Sequence, residues 1–192
     1  MDKEIRSCKL EWRTDAADPR HVEGVAAVFG SESEDLGFFE TIEPEAITDD
    51  VINASDVFCM LNHDDSRGIL ARSKYGNGSL KLWREADGLH YSFSAPRTAL
   101  GDELLEYLQR GDITASSFAF TVEADEWANR DGNVYRTIKK INRLYDVSPV
   151  FQPAYSATSV AQRKADAMRT DAAAIIGSLD KVTAELDDIF GE

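Results

Sequence analysis

The sequence predicts a mainly β protein with helices, and three observations carry that expectation. Short apolar runs recur at close spacing: VEGVAAVFG (22–30), VFCMLNH (57–63), SLKLWRE (79–85), GLHYSFSA (88–95), ITASSFAFTVEA (113–124), NVYRTIKKI (133–141) and LYDVSPV (144–150). Turn signals separate several of them: Gly76-Asn77-Gly78, Asp87-Gly88 and Asp131-Gly132-Asn133. Asp-Gly between strand-like runs is a hairpin cue, because both residues tolerate positive φ. Cys8, Leu10 and Trp12 share one parity, the period of a half-buried strand. Several antiparallel strands at this spacing suggest a barrel or a sandwich.

Two helices complete the expectation. In TALGDELLEYLQRG, Leu100, Leu104 and Leu108 repeat every fourth residue and Leu105 widens the stripe. Thr98 can cap its start and Gly111 can end it. In the tail, Met168, Ala172, Ile175, Leu179, Val182, Leu186 and Ile189 alternate steps of four and three, a heptad seam. Gly177 weakens that helix by about 1 kcal/mol relative to Ala. The seam either packs on its own barrel or docks on another chain. The expected organisation is a domain over 1–163 followed by an amphipathic docking or assembly helix over 164–192. That segment carries three basic and seven acidic residues.

Composition bounds the function. The chain has 192 residues, 43% of them hydrophobic and 9% aromatic, enough for a core. Its formal charge of −14 argues against a phosphate-backbone binder, since no cluster of Lys and Arg is present to neutralise phosphates. Cys8 and Cys59 are too few and too far apart for a disulfide framework or a zinc ribbon. A reducing, cytoplasmic setting is expected. MDKEIRSCKLEWR lacks the apolar stretch of a signal peptide, and no run approaches the roughly 18 apolar residues of a membrane span. No nucleic acid, membrane or cofactor is called for.

The chemistry centres on His63. It follows an apolar run and precedes Asp64 and Asp65. A histidine base needs a Ser or Cys nucleophile and a third group to hold its tautomer. GDITASSFAF offers the nucleophile: on a strand, Ser116 shares a face with Phe118 and Phe120, while Ser117 shares the other with Ala115, Ala119 and Thr121. Small neighbours leave room for a substrate, so Ser117 is the better nucleophile. For the third member, Asp146 falls between Tyr145 and Val147, where an unpaired carboxylate is costly to bury. An imidazolium would explain it, and so would Arg143 or solvent.

ETIEPEAI (40–47), VFCMLNHDDSRGILARS (57–73), LLEYLQRGDITASSFAF (104–120) and LYDVSPVFQPAYSATSV (144–160), in that order, resemble the prohead (capsid maturation) proteases of tailed bacteriophages. The resemblance covers about residues 20–160. Its marks are Asn-His-Asp after an apolar strand, Gly-Asp-Ile then Ser-Phe-x-Phe, and Asp-Val-Ser-Pro-Val followed by Pro-Ala-Tyr. The family is similar in fold to the herpesvirus assemblin proteases. The resemblance therefore implies a closed antiparallel β-barrel of the herpesvirus-protease type, with surrounding helices and a C-terminal helix. It places the histidine on His63, the nucleophile on Ser117 and the acid on Asp146. Herpesvirus relatives use a second histidine, for which His90 is the alternative. Ser116 stands where the resemblance leads one to expect glycine.

The implied activity is peptide-bond hydrolysis through an acyl-enzyme, with Arg110, Arg136, Arg143 or backbone amides as oxyanion donors. Implied substrates are scaffold and major capsid protein segments, and the chain itself, inside an immature head in the host cytoplasm. Self-association through the C-terminal helix is expected. The competing readings are a catalytically inactive barrel acting as a scaffold-binding module and a metal hydrolase built on His63, Asp64 and Asp65. The latter lacks the i, i+4 histidine pairing of helical zinc sites.

Overall fold

The computed structural model describes residues 2–9, 13–15, 17–152 and 159–190. In order, the chain forms β1 (Glu4–Lys9), β2 (Arg13–Asp15), β3 (Asp18–Val28), β4 (Phe39–Ile42), α1 (Asp49–Ala54), β5 (Asp56–Cys59), β6 (Ala71–Lys74), β7 (Asn77–Gly78), β8 (Lys81–Arg84), β9 (Gly88–Ser94), α2 (Ala99–Arg110), β10 (Ala115–Arg130), β11 (Asn133–Val150) and α3 (Ser159–Phe190). Asp131 and Gly132 take φ of 51° and 82°, and this tight left-handed turn joins the two longest strands. Runs expected as three strands, 113–124, 133–141 and 144–150, thus become one long hairpin.

The closed antiparallel barrel is not what forms. The described strands make two sheets, one of seven strands ordered β1-β10-β11-β5-β6-β7 with β4 beside β11, and one of four ordered β2-β3-β9-β8. Closure requires every strand to have a neighbour on each side. Here β1 and β7 end one sheet and β2 and β8 end the other. The physical reason lies in β11, which is long enough to take two partners in succession. Tyr135–Ile138 pair with β4 and Asp146–Val147 pair with β5, both in parallel. The sheet branches instead of curling shut. The fold is a mixed α+β arrangement of open sheets.

The two sheets and α2 share one core. Phe118, Phe120, Leu144 and Val147 come from the larger sheet, Val22, Leu89, Tyr91 and Phe93 from the smaller. Leu104 and Leu108 of α2 are buried among them, as their spacing predicts. Thr98 Oγ1 accepts from Gly101 N, and Gly111 ends the helix at φ 75°. Helix α1 and strand β4 were not anticipated. Yet Thr48 caps α1 by accepting from Val51 N at 3.2 Å, with Asp49 and Asp50 in the first turn.

Helix α3 begins at Ser159 and packs by its first turns. Ala161 and Ala165 are buried with Leu36, Phe38 and Val134, and Trp127 and Met168 border them. Further along, Ile175, Ile176 and Leu179 are 60%, 57% and 59% exposed. The seam's Val182, Leu186 and Ile189 lie outside the described side chains. Leu10, Trp12 and the Pro153-Ala154-Tyr155 motif lie outside the described residues. Among the described residues, no helix is long and apolar enough to cross a membrane.

Candidate active site

Strand β5 stops before the histidine. Met60 and Leu61 remain buried, and the chain then turns through Asn62 and His63 at φ 56° and 59°. The expectation of a histidine on a strand end is therefore corrected: His63 sits in a left-handed turn. Asn adopts this region readily, whereas for most other residues it costs on the order of 1 kcal/mol or more. Backbone bonds on both sides hold it. Asn62 N donates to Pro149 O at 2.9 Å and Asp64 N to Leu61 O at 3.1 Å. Asp64 accepts from Ser66 N and Oγ, which fastens the following turn. Asp64 and Asp65 thus serve that turn, one as its cap and the other inside it.

The histidine ring is held from one side. Its Nδ1 donates to Asp146 Oδ1 at 2.6 Å. A carboxylate has no proton to give, so Nδ1 carries the hydrogen, and in the neutral imidazole Nε2 is the nitrogen with the lone pair. Nε2 is buried, and among the described residues it has no hydrogen-bond partner.

Asp146 reaches the ring because of a bulge. Ala119 pairs with Asp146 but Phe120 pairs with Leu144, leaving Tyr145 as the extra residue. The slip lets Leu144 enter the core while Asp146 faces the side that carries Ser117, Ala119 and Thr121. The carboxylate is 1% exposed and takes three donors: His63, Ser148 Oγ at 3.1 Å on Oδ1, and Lys3 Nζ at 3.2 Å on Oδ2. Burial pushes its pKa up, but the bond and charge of His63, then of Lys3, outweigh it and hold the group below the usual carboxylate value.

The two serines separate by face. Ser116 Oγ bonds Tyr91 Oη at 2.7 Å inside the core. Ser117 lies on the opposite face, directly across from Ser148 of β11. Its Oγ is buried and donates to Arg6 O of β1 at 2.9 Å. Ser117, Asp146 and, through Asp146, the His63 ring therefore belong to one face of the larger sheet. In this arrangement the hydroxyl is bonded to the backbone of β1.

The other expected participants lie elsewhere. His90 is on β9 in the smaller sheet, bonded to Asp87 at 2.9 Å and stacked on Trp83. His21 meets Glu23. Burial pushes the Cys8 thiol up to about 12 and Cys59 well above its ordinary value, so neither is poised as a thiolate nucleophile. Arg136 is locked in a buried network with Glu4, Glu40 and Asp125, which also holds Arg6. Arg110 pairs with Asp112. Arg143 lies over the Tyr145 ring.

Sequence reasoning missed Lys3 and Ser148. Ser148 was findable, because two residues beyond Asp146 on a strand is the same face. Lys3 was not, since 143 residues separate it from its partner. Both Lys3 and Asp146 line a cleft of about 340 Å³ that Phe58, Met60, Ile69 and Tyr145 make partly apolar.

The model of the caudovirus prohead serine protease family matches residues 8–171. No curated protein matches the chain. Among solved structures, the chain is similar to the capsid assembly protease of bacteriophage T4, with 12% identity over 77% of this chain and 96% of that one, at a TM-score of 0.48.

Proposed function

Because the chain belongs to the caudovirus prohead serine protease family, we propose that its nucleophile is Ser117, its general base His63 and its orienting acid Asp146. One observation carries this reading: the 2.6 Å bond from His63 Nδ1 to a buried Asp146, which selects the neutral tautomer whose acceptor is Nε2, an atom without a partner among the described residues. That is the state a base needs before it accepts a proton.

Ser117 Oγ leaves Arg6 O, gives its proton to Nε2 and attacks the scissile carbonyl. The imidazolium so formed is stabilised by Asp146, and it then protonates the leaving amine. Water repeats the sequence to release the acyl group. The oxyanion requires fixed donors. Arg136 and Arg110 already hold carboxylates. Arg143 stands opposite Thr121, four residues along β10 from Ser117, about 13 Å at strand rise. In this reading backbone N–H groups supply the donors.

The substrates in this reading are segments of scaffold and major capsid protein, and the enzyme's own chain, cut inside the immature head in the host cytoplasm. In this reading residues 1–163 carry the protease and 164–192 the docking segment, whose first turns are seated on the body through Ala165 and Met168. The exposed Ile175, Ile176 and Leu179 support docking on a second copy. An active-site serine probe followed by mass spectrometry tests the assignment. Labelling is expected on Ser117 and abolished by Ser117→Ala and His63→Ala; labelling of Ser116 instead, or of the Ser117→Ala chain, overturns it.

A further inference from the structure

We propose that Lys3 is a positioning residue of this site: its ammonium holds the outer oxygen of Asp146, so that the inner oxygen stays on the His63 ring. The inference rests on the catalytic reading above and adds a residue to it. Asp146 presents two oxygens with different tasks. Oδ1 takes His63 Nδ1 and Ser148 Oγ, while Oδ2 takes Lys3 Nζ at 3.2 Å. A carboxylate bonded on both oxygens cannot rotate about its last bond without losing a charged contact. Among the described residues, Lys3 is the donor that Oδ2 has.

The lysine is itself placed. Its ammonium lies 5.5 Å from the Tyr145 ring centroid, on the residue that the bulge inserts beside Asp146. It stands just ahead of β1, whose Arg6 carbonyl holds the Ser117 hydroxyl. One short stretch of chain therefore touches both the acid and the nucleophile. Its side chain is 48% exposed, which screens the charge without removing it.

A cation on Asp146 also opposes protonation of the neighbouring ring. The other groups around the pair are Asp64 and Asp65 in the histidine's own turn, Asp56 on β5 with its partner Arg72, Arg143 on β11, and the protonated Cys59 thiol on β5. Among the described residues, none of these bonds the Asp146 carboxylate. Removing the Lys3 charge leaves a more negative surround, which favours the imidazolium and moves the acid limb of the pH–rate profile to higher pH.

The test is the pH dependence of peptide cleavage by the full chain with Lys3→Met, Lys3→Gln and Lys3→Arg. Both neutral variants are expected to move the acid limb up by about half a unit, the order expected of one partly screened charge at this range. They should lower kcat about threefold to tenfold with little change in KM, and Lys3→Arg should restore both. A titration of the His63 imidazole by NMR reads the same shift without turnover. An unmoved acid limb and NMR midpoint in the two neutral variants overturn the proposal, as does failure of Lys3→Arg to restore them. Activity surviving in Ser117→Ala would instead overturn the catalytic reading beneath it.

Discussion

Ser116 and Ser117 are adjacent, equally buried and chemically identical, yet the strand turns one into the core and the other onto the face that carries Asp146. Ser117→Ala and His63→Ala are expected to lower proteolysis by a factor on the order of 10⁵ or more. Ser116→Ala should retain most of it, because its hydroxyl serves Tyr91. Intact-mass analysis of a substrate peptide over time measures both, and equal losses at the two serines would undo the strand-face argument. For the acid, Asp146→Asn should impair the rate strongly, since an amide holds the opposite tautomer as readily as the productive one. His90→Gln should not, because His90 is occupied by Asp87 and Trp83. Activity should rise with pH across the range in which histidines titrate, near about 6.5, as the base loses its proton. The sign for stability is the reverse of a histidine's. Asp146 has a depressed folded-state pKa, so its contribution is present above the unfolded value of about 3.9 and is lost as pH falls through the folded one. Thermal melts of Asp146→Asn should accordingly show a weaker loss of stability below about pH 4.

At the scale of elements, the β10–β11 hairpin does most to place the site. Its bulge at Tyr145 lets one strand serve the core at Leu144 and the candidate site at Asp146. Helix α2 shows a different constraint. Gly101 lies inside it, where alanine is favoured by about 1 kcal/mol on propensity alone. A Cβ there would stand 2.0 Å from the Pro96 carbonyl oxygen, which Arg20 already bonds. Backbone cannot yield as a flexible side chain can. Gly101→Ala is therefore expected to destabilise the protein by about 1–3 kcal/mol, seen as a lower melting temperature. A rise in melting temperature would show that the loop beside α2 gives way.

For the whole molecule, assembly turns on the tail. The first turns of α3 are part of the packed body, through Ala161, Ala165 and Met168 and through Lys164, which reaches Asp125. The exposed isoleucines lie beyond them. A chain ending at Thr170 should unfold cooperatively near the full-length midpoint and lose association in sedimentation experiments. A chain ending at Arg163 should also fold, but with a lower midpoint, because Phe38 and Trp127 lose their cover. Unchanged association after removal of residues 171–192 would refute docking through the tail. The acidity is spread along the chain: residues 164–192 hold −4 of the −14, so truncation before Lys164 leaves a strongly anionic and dispersible protein.

How far the residues speak for themselves depends on the range of each interaction. The α2 stripe, its Thr98 and Gly111 ends, the Asp131-Gly132 turn and the opposite faces of Ser116 and Ser117 were legible, because helix and strand periodicities act over a few residues. The family resemblance was legible too, since motifs are local in sequence. Helix α1 announced itself through Thr48 and two aspartates, a signal overlooked and not missing. By contrast, alternation could not tell an open sheet from a closed barrel. That choice rests on which edges pair, and β11 takes β4 and β5 from about 100 residues back. Nor could it show that His63 leaves the strand for a left-handed turn, a conformation held by Pro149 and Leu61. The contacts of Lys3 with Asp146, and of Arg6 and Arg136 with Glu4 and Glu40, were decided only on folding. Charges carry no periodicity that names their partner, and it is the packing of the sheet that brings them within reach.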